Sequence, residues 1–176
     1  MRRVLLTSLT VCGALLVGTQ AQAQTAASAP AAGGTADGMP FDIPYGTPVG
    51  LETAKKMIAA VEAEATKHRW KLNIAVVDTH GDLVHFSRMD GAQLASIQIA
   101  EHKAKAAATF RRKTVIFENG IQKSGLNYLI TLDGAIGSRG GIPLVSGGRI
   151  IGAIGCSGGT GSQDEAICEA AAATLK

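Results

Sequence analysis

The chain has 176 residues, and its 17 basic and 14 acidic side chains give a formal net charge of +3 at pH 7. That excess is too small for a nucleic-acid binder, which concentrates positive charge on one face. Aromatic residues make up only 4% of the chain, so there is little stacking surface to enclose a large planar ligand.

The opening MRRVLLTSLTVCGALLVGTQAQAQ is expected to be a secretory signal peptide occupying residues 1–23. Arg2 and Arg3 form its positive start, residues 4–18 its apolar run, and Ala21-Gln22-Ala23 a small-x-small cleavage site. The run falls short of the roughly 20 apolar residues a bilayer span needs, so no stable membrane insertion is expected. Cleavage would take Arg2 and Arg3 with it, leaving 15 basic against 14 acidic residues and a net charge of +1. A secreted or periplasmic location follows, where Cys156 and Cys168 are able to pair. Two free buried thiols remain the alternative.

Residues 24–50 form a linker. Its first half is an Ala/Gly/Ser/Thr tract without enough apolar surface to order itself. In its second half Pro40, Pro44 and Pro48 alternate with Phe41, Ile43 and Tyr45, which predicts an extended arm docked on the domain or on a neighbouring subunit. Residues 51–176 then suffice for one domain.

Within that domain Leu51, Ala54, Met57, Ile58, Val61 and Ala65 recur at helical spacing, predicting an amphipathic helix that ends near His68-Arg69. WKLNIAVVDTHGDLVHFSRMD predicts a hairpin that turns at His80-Gly81. A second helix is expected from about Ala92 to Arg112, carrying a stripe of Ala100, Ala104 and Ala107 that suits close approach to a sheet. A short helix around VIFENGIQ and a short strand in NYLITLD follow. GIPLVSGGRIIGAIGC predicts a second hairpin across Gly147-Gly148. The last helix is expected to open on a capping box of Ser162 and Glu165. The whole is an α+β fold, an antiparallel sheet of about five strands packed with helices.

IAVVDTHGDLVHFSRMDGA, IAEHKAKAAATFRRKT, GGIPL and GGRIIGAIGCSGG, in that order, resemble the GlcG/HbpS-like family, related to the C-terminal domain of PduO. The resemblance covers nearly all of residues 51–176. It implies a profilin-like fold, a homo-oligomer and binding of haem, in some members with haem degradation.

Haem needs an axial ligand, an apolar slot and cations for its propionates. His102 and His85 are the candidate iron ligands, although the family has a small residue at position 85. Arg111 and Arg112 are candidate propionate cations, since guanidinium pairs carboxylates well; a solvated helix end is the plainer alternative. Thr114 keeps the family residue of the Phe-Arg-Arg-Pro-Thr motif and is a candidate contact at a pocket edge, whereas Lys113 replaces the proline. His80 is expected at a turn, His68 at a helix end, and Met89 in packing. A second function class is a module for a small anionic ligand, a carboxylate held by Arg111 and Arg112.

GCSGG matches G-x-S-x-G, but a hydrolase of that kind has its histidine after the serine, and all four histidines precede Ser157. The same glycines carry no Walker or dinucleotide fingerprint, and no zinc or calcium motif occurs. No paired acid and base or activated nucleophile emerges, so catalysis would have to draw on a bound cofactor.

Overall fold

Leu51–His68 forms the first helix, α1, over the span its periodicity predicts, with Ala54, Met57, Ile58, Val61 and Ala65 buried. It stops at Arg69, whose left-handed backbone (φ 58°) returns an N–H to the last turn. The computed structural model describes residues 41–175; the expected signal peptide and the Ala/Gly-rich half of the linker lie outside the described residues.

Strand β1, Asn73–Val77, is buried at every position, as a strand covered on both faces must be. Strand β2, Leu83–Arg88, returns antiparallel to it. The Asp78 carboxylate fixes the turn between them, accepting the N–H groups of His80 at 2.8 Å and Asp82 at 3.0 Å. Gly81 supplies the positive φ of 85° that closes it. Strands β3, Gly141–Ser146, and β4, Arg149–Ser157, form the second hairpin. Gly147 and Gly148 both take positive φ, 55° and 71°, as a tight two-residue turn requires. The sheet order is β2-β1-β4-β3, with every neighbouring pair antiparallel.

Helices cover both faces. On one, Ile74, Val76, Ile142, Leu144 and Ile154 meet α1 and the last helix, α4, Gly161–Ala172, through Met57, Ile58, Val61 and Ile167. Full burial of each such side chain stabilises the fold by about 1.5–3 kcal/mol. Cys156 and Cys168 form a disulfide that stitches β4 to α4, which settles the choice between paired and free thiols.

The second helix, α2, Ser96–Thr109, lies on the other face. Small residues meet small residues there: Ala100, Ala104, Ala107 and Ala108 against Ala75, Val77 and Ala153. Gly155 in β4 and Gly141 in β3 carry the contact to its limit. A Cβ at either would strike main-chain oxygen, of Ala100 in the first case and Lys103 in the second.

A buried ion pair joins the two helical layers. Lys103, on α2, donates to Asp164 Oδ2 at 2.8 Å and to the Cys156 carbonyl at 3.1 Å. Asp164, on α4, also accepts the Gly159 N–H at 3.0 Å. Gly140 leaves the room, because a Cβ there would lie 2.9 Å from Asp164 Cβ and 3.2 Å from Lys103 Nζ.

Three local expectations are corrected. The described residues hold four strands rather than about five, because Asn127–Thr131 is a 3-10 turn and not a strand. After α3, Val115–Ser124, the chain reverses at Gly125, and the Leu129 side chain lodges over Gly120 instead of reaching the sheet. Second, α2 is shorter than the expected span, since residues 92–95 are occupied by turns and Arg111 is left-handed (φ 55°). Third, α4 opens on a capping box of Thr160 and Gln163, two residues ahead of the expected Ser162 and Glu165.

The arm is docked along its own domain. Gly46 N–H bonds to Ile150 O at 2.8 Å, Ile150 N–H to Pro44 O at 2.9 Å and Val49 N–H to Ile151 O at 2.7 Å. It takes up β4 main-chain groups just ahead of Ala153, where pairing with β1 begins. The Tyr45 hydroxyl reaches the carbonyls of Ala108 and Thr109, at 3.1 and 3.0 Å, at the end of α2.

Candidate functional site

The side of α2 turned away from the alanine stripe borders a cleft of about 770 Å³, within the 300–1,000 Å³ range of small-molecule sites. Gln98, Glu101, His102, Lys105 and Thr109 line it from successive turns of the helix. Their three- and four-residue spacing places them on one helical face. Leu83 and Gly81 close the cleft from the β1–β2 hairpin, with Val77 at its base, and Asp133-Gly134 border it from the segment after the 3-10 turn.

Gly81 is needed here, because a Cβ would lie 2.7 Å from Lys105 Cγ. The lysine stem therefore crosses the glycine, which aligns its ammonium with the cleft wall. The side chains of His102 and Lys105 have no hydrogen-bond or ion-pair partner among the described residues. The site thus offers an unengaged imidazole, an unengaged cation, an apolar wall of Leu83 and Val77, and two carboxylates, Glu101 and Asp133, at its border. An imidazole of this kind can ligate a metal already held by another chelator. No group of three or more His, Cys, Asp or Glu side chains able to hold a bare ion occurs among the described residues.

The other expected site residues fall elsewhere. His85 pairs with Val76, whose side chain belongs to the α1/α4 core, so it lies on the opposite face of the sheet from α2 and His102. Its neighbour two along, Ser87, confirms that orientation by donating to Glu62 of α1. The two histidines cannot meet one ligand in a single pocket.

Arg111 and Arg112 are engaged by the arm. Arg111 Nη1 donates to the Ile43 carbonyl at 3.4 Å. The Arg112 guanidinium sits 3.6 Å from the centre of the Phe41 ring, with Phe110 and Phe117 at 5.9 and 5.6 Å, and its Nε donates to the Phe110 carbonyl at 2.9 Å. Burial, and then the adjacent Arg111 charge, lower its pKa. Neither arginine lines the α2 cleft.

Thr114 is fully buried, and its main chain and side chain are both committed to Gly141: its N–H donates to Gly141 O at 3.0 Å, and its Oγ1 accepts Gly141 N–H at 2.9 Å. It fastens the start of α3 to β3 and presents no surface at a pocket edge. Ser157 is also buried, its hydroxyl donating to Ser96 Oγ at 3.0 Å. Met89 packs at the margin of the α1/α4 core.

Nothing in the sequence singles out Gln98, Glu101 or Lys105, although the three- and four-residue spacings 98–101–105 and 98–102–105–109 that group them with His102 are visible in it. Gly81 and Asp133-Gly134 are brought to the cleft only by the tertiary fold.

Similarity to known proteins agrees with this architecture. Protein GlcG of Escherichia coli K12 is 40% identical over 106 residues, 60% of this chain and 78% of its own length. The structure of a double mutant of Streptomyces reticuli HbpS superposes with a TM-score of 0.69 at 29% identity, covering 84% of this chain and 99% of that one. A haem complex of PduOC gives a TM-score of 0.66 at 25% identity over 74% of this chain and 96% of its own. The family described as "Haem degrading protein HbpS-like" matches residues 49–173, and the chain belongs to that family.

Proposed function

We propose that this protein binds haem, or a closely similar tetrapyrrole, in the α2 cleft, where His102 would hold its iron. The observation that carries this reading is the unpartnered His102 imidazole on the wall of a cleft of ligand size. The haem complex of the related PduOC supports the choice of ligand class. Leu83 and Val77 provide the apolar wall, and the Lys105 ammonium serves a propionate in place of Arg111 and Arg112. Haem supplies the redox chemistry when bound; the chain's own residues orient it and restrict its surroundings. The cleft is read as a binding site first, and haem degradation, where it occurs, would draw its reactivity from the bound group.

The proposal extends to an exported homo-oligomer. Export rests on the leader-like residues 1–23. Self-association is supported by Leu126, Tyr128, Ile130 and Leu132, apolar side chains left exposed on and around the 3-10 turn; Tyr128 and Ile130 are 58% and 71% exposed.

Haemin titration followed by absorbance tests the binding claim. A saturable Soret shift is expected for the wild-type protein, weakened by about tenfold or more in His102→Ala, with His85→Ala unchanged. An equal shift in all three proteins, or its loss in His85→Ala alone, would remove His102 from this role.

A further inference from the structure

At the opposite end of the β1–β2 hairpin the fold builds a second, smaller pocket of about 330 Å³. Three connections meet there: Arg69-Trp70-Lys71 between α1 and β1, Gly91 and Gln93 between β2 and α2, and Gly158-Gly159 ahead of α4. We infer that this pocket is a binding site for a small anion with a ring-sized apolar body, such as an aromatic carboxylate, held by Arg69 and Lys71 against Trp70.

Charge is the first support. Arg69 and Lys71 are the only ionisable side chains lining the pocket, and neither has an ion-pair partner among the described residues. Two unpaired cations facing one concavity favour an anionic occupant, which gains charge-assisted hydrogen bonds from both.

Positioning is the second. Arg69 occupies the left-handed cap of α1, so its side chain leaves the helix at a fixed point. Lys71 lies across Gly91, where a Cβ would stand 2.9 Å from Nζ. Gly158 is equally constrained, since a Cβ there would collide with the Lys71 carbonyl oxygen. The glycines thus hold the three walls together and hold the lysine over the opening. The Gly159 N–H is already taken by Asp164, so the two side chains, and not the turn ahead of α4, supply the positive charge.

Trp70 provides the apolar surface. Its indole stacks on His68, with centroids 4.5 Å apart and planes at 21°, and packs against the α1/α4 core. A ring held in this way offers contact area at little entropic cost on binding. The neighbouring concavity shares Arg69, Trp70 and Lys71 and adds Met89, which extends the apolar wall, together with the carboxylates Glu62 and Asp90, which confine an anion to the side lined by Gly91 and Gly158. The site is separate from the α2 cleft, with which it shares no lining residue.

Trp70 is the chain's one tryptophan, so its emission reports on this region of the fold, and the Arg69/Lys71 variant assigns the response to this pocket. Benzoate and its uncharged counterpart benzamide are titrated into haem-free protein at constant ionic strength. The expected result is a saturable change in Trp70 emission with benzoate at or below ~1 mM, and binding at least about tenfold weaker for benzamide. Arg69→Asn combined with Lys71→Gln is expected to weaken benzoate by about tenfold or more, asparagine being tolerant of the left-handed backbone at position 69. A melting curve of that double variant establishes that it is folded, and His102→Ala is expected to respond to benzoate as the wild type does. Absence of saturation in the wild type, equal affinity for benzamide, or an unchanged response in the folded double variant would each overturn the assignment.

Discussion

Asp164→Ala is expected to destabilise the fold by about 3–5 kcal/mol, the cost of leaving one member of a buried ion pair uncompensated. Lys103 is 1% exposed and Asp164 2%, so water cannot replace the missing partner. For a domain of this size the loss corresponds to a fall in Tm on the order of 10–20 °C, read by calorimetry or by circular dichroism. Lys103→Met together with Asp164→Leu is expected to recover much of the loss, because an apolar pair carries no desolvation cost. Burial raises the Asp164 carboxyl above its ordinary value of 3.8, while the hydrogen bond and charge of Lys103 oppose that rise. A raised carboxyl takes its proton in the folded state before the unfolded chain does. The carboxyl's own ionisation therefore costs stability as pH rises through the window between the ordinary and the raised value.

Gly155→Val is the second large effect. Any Cβ at this position meets the main chain of α2, at the Ala100 carbonyl oxygen and at 2.6 Å from the Ala104 nitrogen. Main chain within a helix cannot step aside as a side-chain tip can, so α2 must lift from the sheet. A cost of about 3 kcal/mol or more is expected, at the upper end of overpacking effects. His102 and Lys105 ride on the same helix, so displacement of α2 also disturbs the cleft. Denaturant unfolding measures the first consequence and the width of the haem Soret band the second. A variant as stable as the wild type would show that α2 does not rest on β4 in the way described.

Most of the fold was legible because its signals are local. The six apolar positions of α1 repeat at helical spacing, and Gly147-Gly148 admits few conformations other than a tight turn. The stripe of Ala100, Ala104 and Ala107 likewise announced a helix pressed on a sheet. What misled were patterns compatible with two outcomes. The alternation in NYLITLD has a strand's period, but a strand also needs a neighbour with free main-chain groups. Leu129 instead found the space over Gly120, a contact between residues whose pairing no local rule reveals. Thr160/Gln163 and Ser162/Glu165 both satisfy the capping-box pattern, and only the backbone at Thr160 (φ −71°, ψ 155°) selects the first.

The candidate cleft was legible only in part, for the same reason. His102 could be singled out as a histidine of the second helix, but its neighbour Lys105 is placed by Gly81, whose approach no local rule reveals. Arg111 and Arg112 carry the right chemistry for a propionate, yet Phe41 and the Ile43 carbonyl reach them first. Lys103 reads as one more solvated lysine in EHKAKAAA. Its burial follows from Gly140 and Asp164, which lie dozens of residues further along the chain.

The central claim, that haem sits against α2 at His102, is tested most directly by paramagnetic broadening in amide NMR spectra as haemin is added. Broadening by the ferric iron is expected to be greatest at Gly81, Leu83, His102, Lys105 and Gly134, the residues around the cleft, and to leave Trp70 and the β2 amide of His85 comparatively sharp. Broadening centred on His85 and the α1 face, or on the Arg69–Lys71 pocket, would place the haem elsewhere and contradict the account.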